Sequence, residues 1–162
     1  MTSVETIGAI AIRIVKLILN LIILIMYRTG NHGSFLGVGG TWNLNEEKTP
    51  DVEIIASGVF VGYFIYTAVS LMSLLFGTRD NKVYFTDVIM GVIGVFMWIT
   101  VGAAALHYWH GYIDEHKYVS VSSERTVGLI MGSLCILTAA LYLLDSVVSV
   151  MFVVREKLNG QF

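Results

Sequence analysis

The sequence predicts an all-α integral membrane protein, a four-helix bundle running up-down-up-down. Three observations lead there. Of 162 residues, 56% are hydrophobic and only 14% are charged, against about 45–50% and about 25% in a globular domain. The mean hydropathy is +0.74. The apolar residues also fall into four runs, each near the roughly 20 residues that a helix needs to cross the hydrocarbon core.

The first run, residues 7–27, carries Arg13 and Lys16 and is too long for a cleavable signal peptide, so it is expected to stay as a span. The second covers residues 54–76 and the third 88–109; neither contains a charged residue. The fourth, 127–154, is longer than a crossing requires and is interrupted by Asp145. In lipid each backbone group must find its partner within its own segment, which makes these runs helices. Together they form one four-span domain over residues 1–162. Pro50, the sole proline, is placed in the first outer loop, leaving the spans free of proline kinks.

Orientation follows the basic residues near the span ends. With both termini cytoplasmic, Arg13, Lys16, Arg79, Lys82, Arg155 and Lys157 lie on the inner side, and Arg28, Lys48, Lys117 and Arg125 on the outer side. The loops are then an outer one at 28–53, an inner turn at 77–87 and a second outer loop at 110–126. A net charge of −2 supplies no basic surface for nucleic acid. The single cysteine, Cys135, excludes an intramolecular disulfide.

Arg13, Lys16 and Asn20 share one face of the first helix. The basic pair either snorkels toward anionic headgroups or meets Asp145 inside the bundle. At 1.5 Å per residue, Arg13 lies about 22 Å below Arg28 and Asp145 about 30 Å below Arg125, so a downward-reaching Arg13 is the first expected partner and Lys16 the second. A charge within a span faces a partner or a cavity.

Small residues mark close helix contacts. Gly58 and Gly62 form a GxxxG in the second helix, Gly128 and Gly132 another in the fourth, and Gly91 and Gly94 sit three apart in the third. They serve packing within the chain or assembly with a second copy. At the outer end of the third helix, His107, Tyr108, Trp109, His110 and Tyr112 fit an aromatic belt at the headgroup boundary. Zinc binding by His107 and His110, or pH sensing, are the alternatives. The glycine-rich first loop brings Phe35, Leu36, Val38 and Trp42 to the bundle rim as an outer contact surface. It lacks the Gly-Lys-Ser/Thr of a phosphate loop. No catalytic triad, paired catalytic carboxylates or metal-ligand spacing is present, so no enzyme, cofactor or metal is expected.

The stretch Asn20-Leu-Ile-Ile-Leu-Ile-Met-Tyr-Arg-Thr-Gly30, then Phe35-Leu-Gly-Val-Gly-Gly-Thr-Trp-Asn-Leu-Asn-Glu-Glu-Lys48, closely resembles the snakeskin family, four-span proteins of insect smooth septate junctions. The first helix also resembles the opening helix of MARVEL-type proteins in architecture. The snakeskin resemblance implies a structural or adhesive part in a paracellular barrier at the lateral plasma membrane of midgut and renal-tubule epithelia. Implied partners are the junction protein mesh and a tetraspanin, with homo-oligomer formation and the lipid bilayer as the remaining contacts. A small four-span enzyme of the glutathione-transferase and eicosanoid type is the main alternative, and a proton-coupled transporter resting on Asp145 is the second.

Overall fold

Apolar runs without interior proline fold as four helices in a computed structural model that describes residues 3–29, 50–76, 81–115, 122–158 and 160. They are α1 (Ser3–Thr29), α2 (Pro50–Phe76), α3 (Asn81–Glu115) and α4 (Ser122–Leu158). Each contains a segment long and apolar enough to cross a membrane: Ile7–Arg28, Ile54–Phe76, Phe85–His110 and Arg125–Arg155. No strand occurs among the described residues.

The helices reach beyond the hydropathy limits, which shifts four loop boundaries. Pro50 is the first residue of α2 rather than a loop residue; its missing N–H would have no partner in the first turn, so it starts the helix without kinking it. α3 begins at Asn81, inside the expected inner turn, and carries Asp87 as a buried helical residue. It continues to Glu115, and α4 starts at Ser122, so much of the expected second outer loop is also helical. The first-loop contact residues Phe35, Leu36, Val38 and Trp42 lie outside the described residues.

The buried positions repeat every three and four residues. On α1 they are Ala9, Arg13, Lys16, Asn20, Ile23 and Tyr27; on α4 the same spacing runs from Met131 through Cys135, Thr138, Tyr142 and Asp145 to Ser149. This is the seam of helices packed nearly antiparallel. α1 packs against α2 and α4, and α3 against α4 and α2, which places α1 diagonally opposite α3. Ile, Leu, Val and Met side chains cover the outside, where Ile65, Phe96 and Met151 are exposed as a lipid-facing surface requires.

The closest seam joins α3 to α4, and glycine makes it. A Cβ on Gly102 would stand 3.1 Å from the Gly132 carbonyl oxygen, and one on Gly132 would stand 3.2 Å from that of Gly102. One backbone therefore lies directly on the other. Gly128 receives the Trp109 ring, Gly91 the Ser146 side chain, and Gly94 the rings of Tyr63 and Tyr142. Gly58 and Gly62 have nothing within 4 Å of where a Cβ would stand. Polar residues facing lipid are satisfied locally, Thr100 donating to the Phe96 carbonyl and Ser133 to that of Leu129, each at 2.8 Å.

Gly102→Val or Gly132→Val is therefore expected to destabilise the chain by at least the about 1–3 kcal/mol of an overpacked core, read as a lowered Tm in detergent. Gly62→Leu, entering open space, is expected to leave the Tm unchanged.

Candidate functional site

Three residues of the α1 seam, Arg13, Lys16 and Asn20, are 3%, 3% and 0% exposed. Each must find a partner on another helix, since lipid offers none. Arg13 Nη2 lies 2.7 Å from Asp87 Oδ2 on the diagonal helix α3, and its Nη1 donates to the Ser70 carbonyl of α2 at 2.9 Å. The other Asp87 oxygen accepts from the Tyr66 hydroxyl at 2.8 Å and from the Ser70 hydroxyl at 3.1 Å. One carboxylate thus joins α1, α2 and α3.

One turn further along α1, Lys16 Nζ makes an ion pair with Asp145 Oδ2 of α4. The same ammonium stands 4.2 Å from the centre of the Tyr142 ring, a cation–π contact strengthened by the burial of the cation. Next along the seam, Asn20 Nδ2 lies 3.0 Å from the Tyr142 hydroxyl, 3.2 Å from Thr67 Oγ1 and 3.3 Å from the Tyr63 carbonyl. An amide nitrogen carries two hydrogens, so two of these three acceptors are served at once. Thr67 and Tyr142 also share a hydrogen bond between their hydroxyls.

The expected pairing of Arg13 with Asp145 is corrected: Asp145 takes Lys16, and Arg13 takes Asp87. Arg13 and Lys16 differ by only about 4.5 Å in height along α1, so depth could not separate them. Their directions do, one pointing across the bundle and the other toward α4. Snorkelling is excluded for both side chains by their burial. Asp87 was missed because hydropathy trims a charge from the end of a run. Stepping back from Trp98 through Gly94 and Gly91 in threes and fours would have placed it on the buried seam.

Beyond Asn20 the core turns aromatic. Tyr63 meets Tyr142 edge-on at 5.2 Å between centroids, Trp98 lies 5.5 Å from Phe60, and Phe60 lies 4.9 Å from Tyr27. These rings fill the space between α2 and the α3–α4 pair. The Tyr63 hydroxyl donates to the Met90 carbonyl at 3.2 Å.

Of the histidine-aromatic cluster, Trp109 is fully buried against Gly128, whereas His107 and His110 are exposed. Among the described residues no three His, Cys, Asp or Glu side chains converge as metal ligands. Arg125 Nε donates to the Trp109 carbonyl at 3.0 Å and ties the start of α4 to α3.

Two proteins are similar along nearly the whole chain. Protein snakeskin of Bombyx mori is 54% identical over 156 residues, 96% of this chain and 99% of that protein. Protein snakeskin of Drosophila melanogaster is 55% identical over 149 residues, 92% of each. No family model matches the chain, and no solved structure does.

Breaking one partner of a buried pair leaves an uncompensated charge, a loss of about 3–5 kcal/mol in soluble proteins. Asp145→Ala and Lys16→Ala are each expected to lower the Tm, and the double variant to recover part of the loss. The same holds for Arg13→Ala with Asp87→Ala. Combining Arg13→Ala with Asp145→Ala is expected to show the smaller coupling in a double-mutant cycle. A larger coupling for that cross pair would overturn the assignment.

Proposed function

The chain belongs to the snakeskin family, and from that premise we propose that it is a structural component of the smooth septate junction. In this reading it contributes to the paracellular barrier at the lateral plasma membrane by assembling with itself and with other junction membrane proteins. The junction protein mesh and a tetraspanin are the proposed partners, carried over from the family resemblance. The observation supporting a structural role is that the four charges buried among the described residues are used up in ion pairs between helices of the one chain. A glutathione-dependent enzyme would need Arg13, Lys16 and Asn20 turned toward a lipid-accessible cofactor; all three are buried and engaged by other helices. A proton-coupled transporter would rest on Asp145, which is bound by Lys16.

We place both termini and the α2–α3 connection in the cytoplasm, on the distribution of Lys and Arg. A cysteine introduced at Ser34 or Ser122 is expected to react with an impermeant maleimide on intact cells. Cys135 is fully buried and contributes little background. Labelling only after permeabilisation would reverse the orientation.

Assembly is assigned to the outward face of α2. Gly58 and Gly62 stand in open space there, so a second helix can approach the backbone closely; Gly91, Gly94, Gly128 and Gly132 are occupied within the chain. In an epithelial monolayer the natural chain is expected to concentrate at lateral contacts and restrict a paracellular tracer. Gly58→Leu with Gly62→Leu is expected to keep the Tm yet lose clustering and raise tracer flux. Lateral clustering that survives the double variant would move the assembly surface to the Phe35, Leu36, Val38 and Trp42 loop. Absence of the natural chain from lateral contacts would overturn the junction reading itself.

A further inference from the structure

At the end of the bundle that holds both termini, α1 and α4 separate and leave a groove of about 580 Å³ between them. The α1 wall consists of Gly8, Ala9 and Ile12; Val148, Met151 and Phe152 are on the α4 wall. The recess has a local cause. Gly8 has no side chain and nothing within 4 Å of where a Cβ would stand, and the adjacent Ala9 is the smallest side chain on the α1 seam. The polar network begins only at Arg13, one turn further in.

Both walls belong to membrane-spanning segments, the groove opening where the α1 segment starts at Ile7 and the α4 segment ends at Arg155. Arg155 lines its mouth and is exposed. From Arg155 back to Val148 is about 10 Å along α4. That depth fits within one leaflet, about 15 Å, or half of the roughly 30 Å hydrocarbon core. An apolar slot of leaflet depth with a guanidinium at its mouth has the form of an acyl chain joined to an anionic phosphate. Guanidinium pairs with phosphate oxygens through two parallel N–H groups.

We propose that this groove is a binding site for an anionic glycerophospholipid of the leaflet at the termini, with one acyl chain between α1 and α4 and its phosphate on Arg155. The bound chain replaces the side chains that Gly8 and Ala9 lack. It seals the α1–α4 seam next to the Arg13 and Lys16 ion pairs and keeps water from reaching them along it. A zwitterionic phospholipid fits the same slot but brings its own cation to Arg155, so selectivity resides in that residue.

The purified full chain in maltoside micelles is titrated with phosphatidylglycerol or phosphatidylcholine, and adducts are counted by native mass spectrometry. A 1:1 phosphatidylglycerol adduct is expected, with a higher Tm than phosphatidylcholine gives. Arg155→Gln is expected to reduce that preference roughly fivefold, the weight of one basic residue at a charged membrane surface, while the phosphatidylcholine adduct is kept. Gly8→Leu with Ala9→Leu fills the groove and is expected to abolish both adducts. A phosphatidylglycerol carrying a diazirine near the end of its acyl chain is expected to label the natural chain within residues 8–12 and 148–158, a readout that needs no variant to fold. Equal binding of the two lipids, an adduct that survives Gly8→Leu with Ala9→Leu, or labelling confined to other helices would overturn the proposal. A cross-link from these residues to a second copy of the chain would instead make the groove a protein interface and also overturn it.

Discussion

A charge cannot remain alone in hydrocarbon, and among its described residues this bundle buries four. Arg13 and Lys16 on α1 are answered by Asp87 on α3 and Asp145 on α4. Satisfying both pairs fixes α1 in two respects at once: its height against α4 and its rotation toward the diagonal helix. The hydrogen bonds of Asn20 to Tyr142 and of Arg13 to the Ser70 carbonyl then follow without further adjustment, because they lie on the same seam. The network carries no net charge, which lets it sit within the spans.

Ion pairs of this kind are a source of geometry more than of stability. Removing two charges from water is costly, and an apolar replacement of the same shape is often as stable. Net cohesion has to come from elsewhere, since lipid is as apolar as leucine and no hydrophobic effect drives the helices together. The α3–α4 seam supplies it through direct backbone contact at Gly102 and Gly132, with Trp109 seated on Gly128. Where bulk replaces glycine, as at Phe60, Tyr63 and Trp98, the ring contacts hold α2 at a greater distance. The molecule thus has a tight glycine-lined pair, and α1 is located against it by charge.

The division of the core into a polar half near the termini and an aromatic half beyond Asn20 sets what each end can do. The polar half depends on exclusion of water and is flanked by the groove between α1 and α4. The aromatic half is closed by Trp109 and by Arg125 bonding to its carbonyl. Arg13, Lys16 and Asn20 were recognisable in the sequence as one helical face, because a three-and-four spacing has a single geometric meaning. Tyr66 and Thr67 were not, and Asp87 was legible only through that spacing. Asp87 ends an apolar run, where a hydropathy average discounts it, and hydroxyl groups on a hydrophobic helix carry no sign of which way they point.

Composition and run length by themselves determined that the chain is a membrane protein of four helices, since an apolar run of about 20 residues satisfies its own backbone hydrogen bonds in lipid as a helix. The residue order also determined which side chains share a face. Tertiary structure alone decided which acid meets which base, because Arg13 and Lys16 are one turn apart and equally able to reach inward. It decided as well between two GxxxG motifs that read alike. Gly128 and Gly132 fall on the buried seam of α4, and Gly58 and Gly62 fall outside that of α2. A motif records the spacing of small residues along one helix, whereas the side they occupy is set by the rotation that its neighbours impose.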